Sequence, residues 1–115
     1  MSLKIYHNPR CSKSRQALAI LTEAGADFDI IEYLKTGLSV AELEDLLAKS
    51  GGDARAMMRT GEAVYKQLGL KNEHDEAALM RAMAENPILL ERPLVSDAKT
   101  AVICRPPELA AQFLK

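Results

Sequence analysis

Leu3-Lys4-Ile5-Tyr6-His7-Asn8-Pro9-Arg10-Cys11-Ser12-Lys13-Ser14-Arg15 is the stretch on which the fold turns. Leu3 to Tyr6 reads as a short apolar strand. His7 to Arg10 is a polar turn, which Asn8 organises because Asn side chains bond nearby backbone. After it, Ala17, Leu18, Ile20, Leu21 and Ala24 recur at helical spacing, and Gly25 ends the helix. Cys11 therefore stands where a strand becomes a helix. Unpaired N–H groups and the macrodipole at a helix N-terminus stabilise an anion, here a thiolate, and Arg10, Lys13 and Arg15 add positive charge. A thiol so placed is expected to have a lowered pKa and to act as a nucleophile, and the same N–H groups suit an oxyanion.

Working outward, Phe28 to Tyr33 reads as a second strand, so that strand, helix and strand form a right-handed parallel unit. The middle is helical. Ser39 and Glu42 form a capping box ahead of Leu43, Leu46 and Leu47. Thr60 is the expected N-cap of a short helix through Ala63, Val64, Tyr65 and Leu68, closed by Gly69. A further helix is expected from Asp75 to Glu85, with Ala78, Leu79, Ala82 and Met83 inward and Asn86-Pro87 stopping it. Pro93-Leu94-Val95 and Ala101-Val102-Ile103-Cys104 flank Ser96 to Lys99 as an antiparallel hairpin. Pro106 and Pro107 then open a last helix carrying Leu109, Ala110 and Phe113.

A βαβ unit followed by a ββα unit is the thioredoxin-like plan, an α/β fold. Numbering the strands in chain order, it implies a mixed four-stranded sheet of order β2-β1-β3-β4, with an enlarged helical insert between the two halves. The plan sets Cys11 at the active end of the sheet. Pro93 opens the third strand, where a cis peptide bond at Arg92-Pro93 is expected beside the thiol.

With 115 residues and no linker, repeat or low-complexity tract, residues 1–115 are expected to form one domain. A net charge of −1 argues against non-specific nucleic-acid binding, which needs surplus Lys and Arg, so basic residues must act through local clustering. No signal peptide and no membrane-length apolar run is visible. Two cysteines make no disulfide framework, which points to the cytoplasm. His7 and His74 lack ligand partners at metal-binding spacing, so no metal site is expected.

Cys11 and Ser14 form a Cys-x-x-Ser pair. A serine cannot resolve a mixed disulfide, so Cys11 needs another thiol to complete a redox cycle. Cys104 is the only internal candidate and reads as a small buried side chain. His7 could bond the thiolate, hold the loop or be a solvated loop residue. Among the arginines, Arg92 falls on the loop facing the thiol and Arg105 at the end of the neighbouring strand. Guanidinium groups bind tetrahedral oxyanions bidentately, which Lys does less well.

His7-Asn8-Pro9-x-Cys11, Arg59-Thr60 followed by Tyr65-x-x-Leu68-Gly69-Leu70, Pro87-x-Leu89-Leu90-x-Arg92-Pro93 and Cys104-Arg105-Pro106 together resemble the glutaredoxin-coupled arsenate reductase (ArsC) family, within the wider ArsC/Spx group. The resemblance spans essentially the whole chain. It implies Cys11 as the nucleophile, His7 as a residue that helps keep it ionised, and Arg59, Arg92 and Arg105 as oxyanion ligands. Asn8, Ser14 and Pro93 would be supporting residues. It further implies reduction of arsenate to arsenite through a thiol–arsenate adduct. Glutathione would be a co-substrate and glutaredoxin a partner, with no bound cofactor, in a monomer serving arsenic detoxification. The chain departs from the family's usual Gly-Thr-Ser after the cysteine, carrying Ser12-Lys13-Ser14, and has Arg10 where a small residue is common. Two other readings follow from the same residues. One is a glutathione-linked thiol oxidoreductase of another substrate; the other is a Spx-like RNA polymerase-binding regulator, against which Ser14 and the intact arginines speak.

Overall fold

The computed structural model describes residues 3–114. They fall into two compact units: the chain up to Thr36 together with the chain from Arg92 on, and the intervening Gly37–Glu91.

The first unit holds four strands, β1 (Lys4–Tyr6), β2 (Asp29–Ile31), β3 (Leu94–Ser96) and β4 (Ala101–Ile103), in the expected order β2-β1-β3-β4. β1 runs parallel to β2 with Ile5 beside Ile30, and antiparallel to β3 with Ile5 beside Val95; β3 pairs antiparallel with β4, Val95 beside Val102. Strand alternation puts Ile5 and Val95 on one face. Helix α1 (Ser12–Glu23) presents buried Ala17 and Leu21, which join Leu3, Ile5, Val95, Cys104 and Ala110 in a single apolar core. Gly25, at φ 71, turns the chain out of α1 in the left-handed region that glycine alone enters without strain. Ala24, expected inward, is exposed, because it is already the C-cap.

Further expectations for this unit are corrected. β2 is shorter than Phe28 to Tyr33. Its ladder on β1 closes with the His7 N–H on Ile31 O at 2.9 Å, and the chain then winds into α2 (Tyr33–Thr36), Glu32 O accepting from Lys35 and Thr36. The terminal helix Pro107–Phe113 is 3-10 rather than α. Its prolines remove early donors, and the ends close with tight bonds such as Leu109 N–H to Pro106 O at 3.1 Å. Leu109, expected inward, is exposed. The hairpin forms, with Ser96 inside β3 and Asp97 Oδ1 accepting from Lys99 and Thr100 N–H across the turn.

The second unit, whose chain position is that of the expected insert, is helical. α3 (Val40–Ser50) starts with the full capping box: Ser39 Oγ accepts from Glu42 N–H, and Glu42 Oε1 from Ser39 N–H, each at 3.0 Å. α5 (Glu76–Glu85) is capped by Asp75 and packs against α3, burying Leu43 and Leu46 with Leu79, Met80 and Met83. Between them lies α4 (Ala63–Gln67), whose N-cap is Glu62, not Thr60. The shift has a local cause: a turn closed by Glu62 N–H on Arg59 O precedes the helix, and the Arg59 guanidinium holds the Glu62 carboxylate. Short 3-10 turns at Arg55–Met57, Leu70–Asn72 and Pro87–Leu89 complete the unit. No helix among the described residues is long and apolar enough to cross a membrane.

Candidate active site

The site grows from the end of β1. Asn8 O accepts from Cys11 N–H at 3.0 Å and Asn8 Oδ1 from Arg10 N–H at 3.0 Å, so one side chain and one carbonyl shape the turn. The turn delivers Cys11 in extended conformation, φ −93 and ψ 121, as the N-cap of α1. No side chain caps this helix and no acidic residue occupies its first turn. Its free N–H groups are left to the cysteine sulfur.

Burial pushes the Cys11 thiol up, and it is outweighed. The Ser14 N–H, the hydrogen bond and charge of Arg92, and the Lys13 N–H together hold the pKa below its ordinary value. Arg92 precedes β3 and Arg105 follows β4, so the open end of the hairpin carries both, tied by Cys104 N–H on Pro93 O at 2.8 Å. Arg105 Nη1 donates to Arg92 O at 3.0 Å and stands 4.0 Å from Cys11 Sγ. The Arg92-Pro93 bond is cis, as expected, and so is Arg105-Pro106. A half-buried sulfur between two guanidinium groups can attack an electrophile while cations neutralise oxygens on it.

His7, Asn8 and Ser14 lie behind the sulfur's loop and are buried. His7 Nδ1 meets Ser14 Oγ at 2.6 Å, and Asn8 N–H donates to the same oxygen at 3.1 Å. Burial lowers the His7 pKa, with Glu32 opposing and Arg15 assisting, so the imidazole is neutral at pH 7. In that state Nδ1 and Ser14 Oγ share one hydrogen bond, whose donor is set by the tautomer of the ring. Of the three readings of His7 from the sequence, the solvated one is corrected by its burial, and its hydrogen bond to Ser14 fits a residue that holds the loop.

Cys104 is fully buried, its thiol 3.6 Å from Val102 O, and burial raises its pKa to about 11. Arg59 belongs to the second unit. There its Nε donates to Glu62 Oε2 at 3.0 Å and its Nη1 to Glu91 Oε1 at 2.7 Å. Burial weighs against its charge, but the two carboxylates more than restore it and raise the pKa. The first unit thus brings Cys11, His7, Asn8, Ser14, Arg92, Pro93 and Arg105 into one loop cluster. Sequence reasoning missed both Arg59 partners. The i,i+3 spacing to Glu62 was a usable signal; nothing local announces Glu91, which lies 32 residues on. It read Arg15 only as a nearby charge and missed that its Nη1 donates to Pro9 O at 2.9 Å and so braces the turn from the helix side.

Known proteins share this arrangement of chain. An arsenate reductase of Neisseria meningitidis is 48% identical over 108 residues, covering 92% of each chain. An arsenate reductase of Escherichia coli is 35% identical over 114 residues, covering 98% of this chain and 81% of the relative. The solved structure of an arsenate reductase from Vibrio cholerae superposes with a TM-score of 0.93 at 46% identity, over 99% of this chain and 98% of that one. The family model described as the ArsC family matches residues 6–113. The chain belongs to the ArsC family.

Proposed function

We propose that this protein is an arsenate reductase in which Cys11 is the nucleophile. The observation that carries the reading is the Cys11 thiol itself, its pKa lowered by Arg92 and the α1 N–H groups, with Arg105 Nη1 4.0 Å away. The named relatives support the same substrate. The Cys11 thiolate attacks As(V), and an arsenate oxygen leaves as water after protonation, giving a thiol–arsenate adduct. Arg92 and Arg105 neutralise the adduct's oxygens. Glutathione then supplies the second sulfur: as it bonds to the Cys11 sulfur, arsenic takes the electron pair and departs as arsenite. Glutaredoxin's thiolate removes glutathione from the mixed disulfide and returns the Cys11 thiolate.

Ser14 takes no redox part; with His7 and Asn8 it fixes the loop that presents the sulfur. The resemblance adds Arg59 as a third oxyanion ligand. Its guanidinium already serves two carboxylates, so an oxyanion there must compete with Glu62 and Glu91. That occupancy is the specific observation favouring a second reading, a glutathione-linked oxidoreductase of a different substrate.

The test is arsenite production from arsenate with glutathione and glutaredoxin supplied. Turnover is expected, and Cys11→Ser abolishes it; activity surviving in that variant sinks the mechanism. Arsenite failing to form while Cys11 remains alkylatable at mildly alkaline pH moves the assignment to the second reading.

A further inference from the structure

Arg10 and Lys13 flank the nucleophile, one in the turn and one in the first turn of α1, and both are exposed. Neither has an ion-pair partner among the described residues, in contrast to Arg59, which holds two carboxylates. The backbone beneath them is fixed: Arg10 N–H is bound by Asn8 Oδ1, and Arg15 clasps Pro9 O. The chain as a whole carries a net charge of −1, so this concentration of cations is local to the thiol.

We propose that Arg10 and Lys13 form a cationic rim that selects an anionic small thiol, with carboxylates like those of glutathione, as the exchange partner of Cys11. The inference rests on the reading of Cys11 as a nucleophile and deepens it by giving the co-substrate its own binding residues. The two side chains do not touch the reacting sulfur's lowered pKa through any hydrogen bond in the structure, so recognition is their separable contribution. They are three positions apart, one on either side of the cysteine, so their Cα atoms lie within about 10 Å of each other, which keeps both charges close to the sulfur. Opposite charges at this range raise encounter rates and local concentration, and salt screens them.

The reaction that reads the rim is disulfide exchange, which needs no arsenate. The Cys11 thiolate attacks one sulfur of a disulfide, a Cys11–sulfur bond forms, the disulfide bond breaks, and the other half leaves as a thiolate. Rates are measured by stopped mixing and mass spectrometry with three probes. These are oxidised glutathione (anionic), 2-hydroxyethyl disulfide (neutral) and cystamine (cationic). Each is used on the wild type, on Arg10→Ala/Lys13→Ala and on Arg10→Lys/Lys13→Arg. Using the ratio of anionic to neutral rate cancels any change in Cys11 ionisation.

In the wild type the ratio is expected to exceed that of the alanine pair by about three- to tenfold at low salt. The gap should close in about 0.5 M salt, and the charge-conserving pair should keep the wild-type ratio. The ratio of wild-type to alanine-pair rate should fall in the order anionic, neutral, cationic. An unchanged ratio in the alanine pair overturns the rim while leaving the nucleophile intact. Failure of even the neutral probe to exchange overturns the rim together with the proposed function.

Discussion

At the scale of single residues, the two cysteines have been driven in opposite directions by their surroundings. Cys11 is placed among donors and cations, and its folded pKa is depressed. Its iodoacetamide reaction should therefore reach half-maximal rate below the pH of an ordinary thiol. Arg92→Ala should move that midpoint upward, because it removes both a hydrogen bond and a charge from the thiolate. A midpoint unmoved by the substitution would assign the lowering to the backbone alone. Cys104 is raised from 9.0 to about 11 by burial. Its contribution to stability is full below pH 9, where the thiol is protonated folded or unfolded, and is lost as pH rises through about 11. The loss should total about 2–3 kcal/mol at two pH units of separation, and Cys104→Ala should flatten it in denaturant titrations at rising pH. Cys11 and the turn before it could be read together because they are contiguous, whereas Arg92 and Arg105 were placed only through the plan of the fold. The His7–Ser14 bond was not, because the direction of a buried ring nitrogen depends on packing that no spacing encodes.

Elements were readable in the chain wherever a local signal fixed both ends. The Ser39–Glu42 box started α3 and Gly25 ended the chain's run through α1. The signals failed where tertiary bonds set the boundary: β2 stops with its partner strand, and α4 starts where Arg59 takes Glu62. Arg55 is the clearest tertiary organiser. It donates to Tyr65 Oη, to Leu70 O at 2.9 Å and to Glu73 O, and its guanidinium lies 5.9 Å from the Tyr65 ring centroid. One side chain thereby ties α4 to the 3-10 turn Leu70–Asn72 that follows. Arg55→Ala should lower stability by about 2–4 kcal/mol, since it orphans carbonyls and a hydroxyl together. Ser39→Ala should cost about 1 kcal/mol, the ordinary worth of an N-cap. Thermal denaturation of both variants checks the ranking; an Arg55 loss no larger than the cap's would show that the turn is held by its apolar residues.

Over the whole molecule, the strand order followed from two short units read in sequence, because hairpins and right-handed crossovers leave few alternatives. The insert between the two halves was read, but its bounds at Gly37 and Glu91 were not, since neither carries linker composition. Glu91 ends one unit as a partner of Arg59, and Arg92 begins the other as a partner of the thiol. Glu91→Gln should free part of the Arg59 guanidinium, and arsenate or phosphate affinity, read by calorimetry, should rise if an oxyanion uses that arginine. Affinity unchanged by Glu91→Gln and by Arg59→Ala would remove Arg59 from the ligand set.

The burial of Ser14 and of Cys104 has one more consequence. With the position three residues after Cys11 locked to His7 and Asn8, and the only other thiol sealed in the core, the chain has nowhere to keep a spare pair of electrons. Under the proposed mechanism it would be a relay without a battery, idling after each discharge until a reductant arrives from outside. Its throughput would then track the supply of small thiols around it, and in a thiol-starved cell it would accumulate as a stalled, modified form.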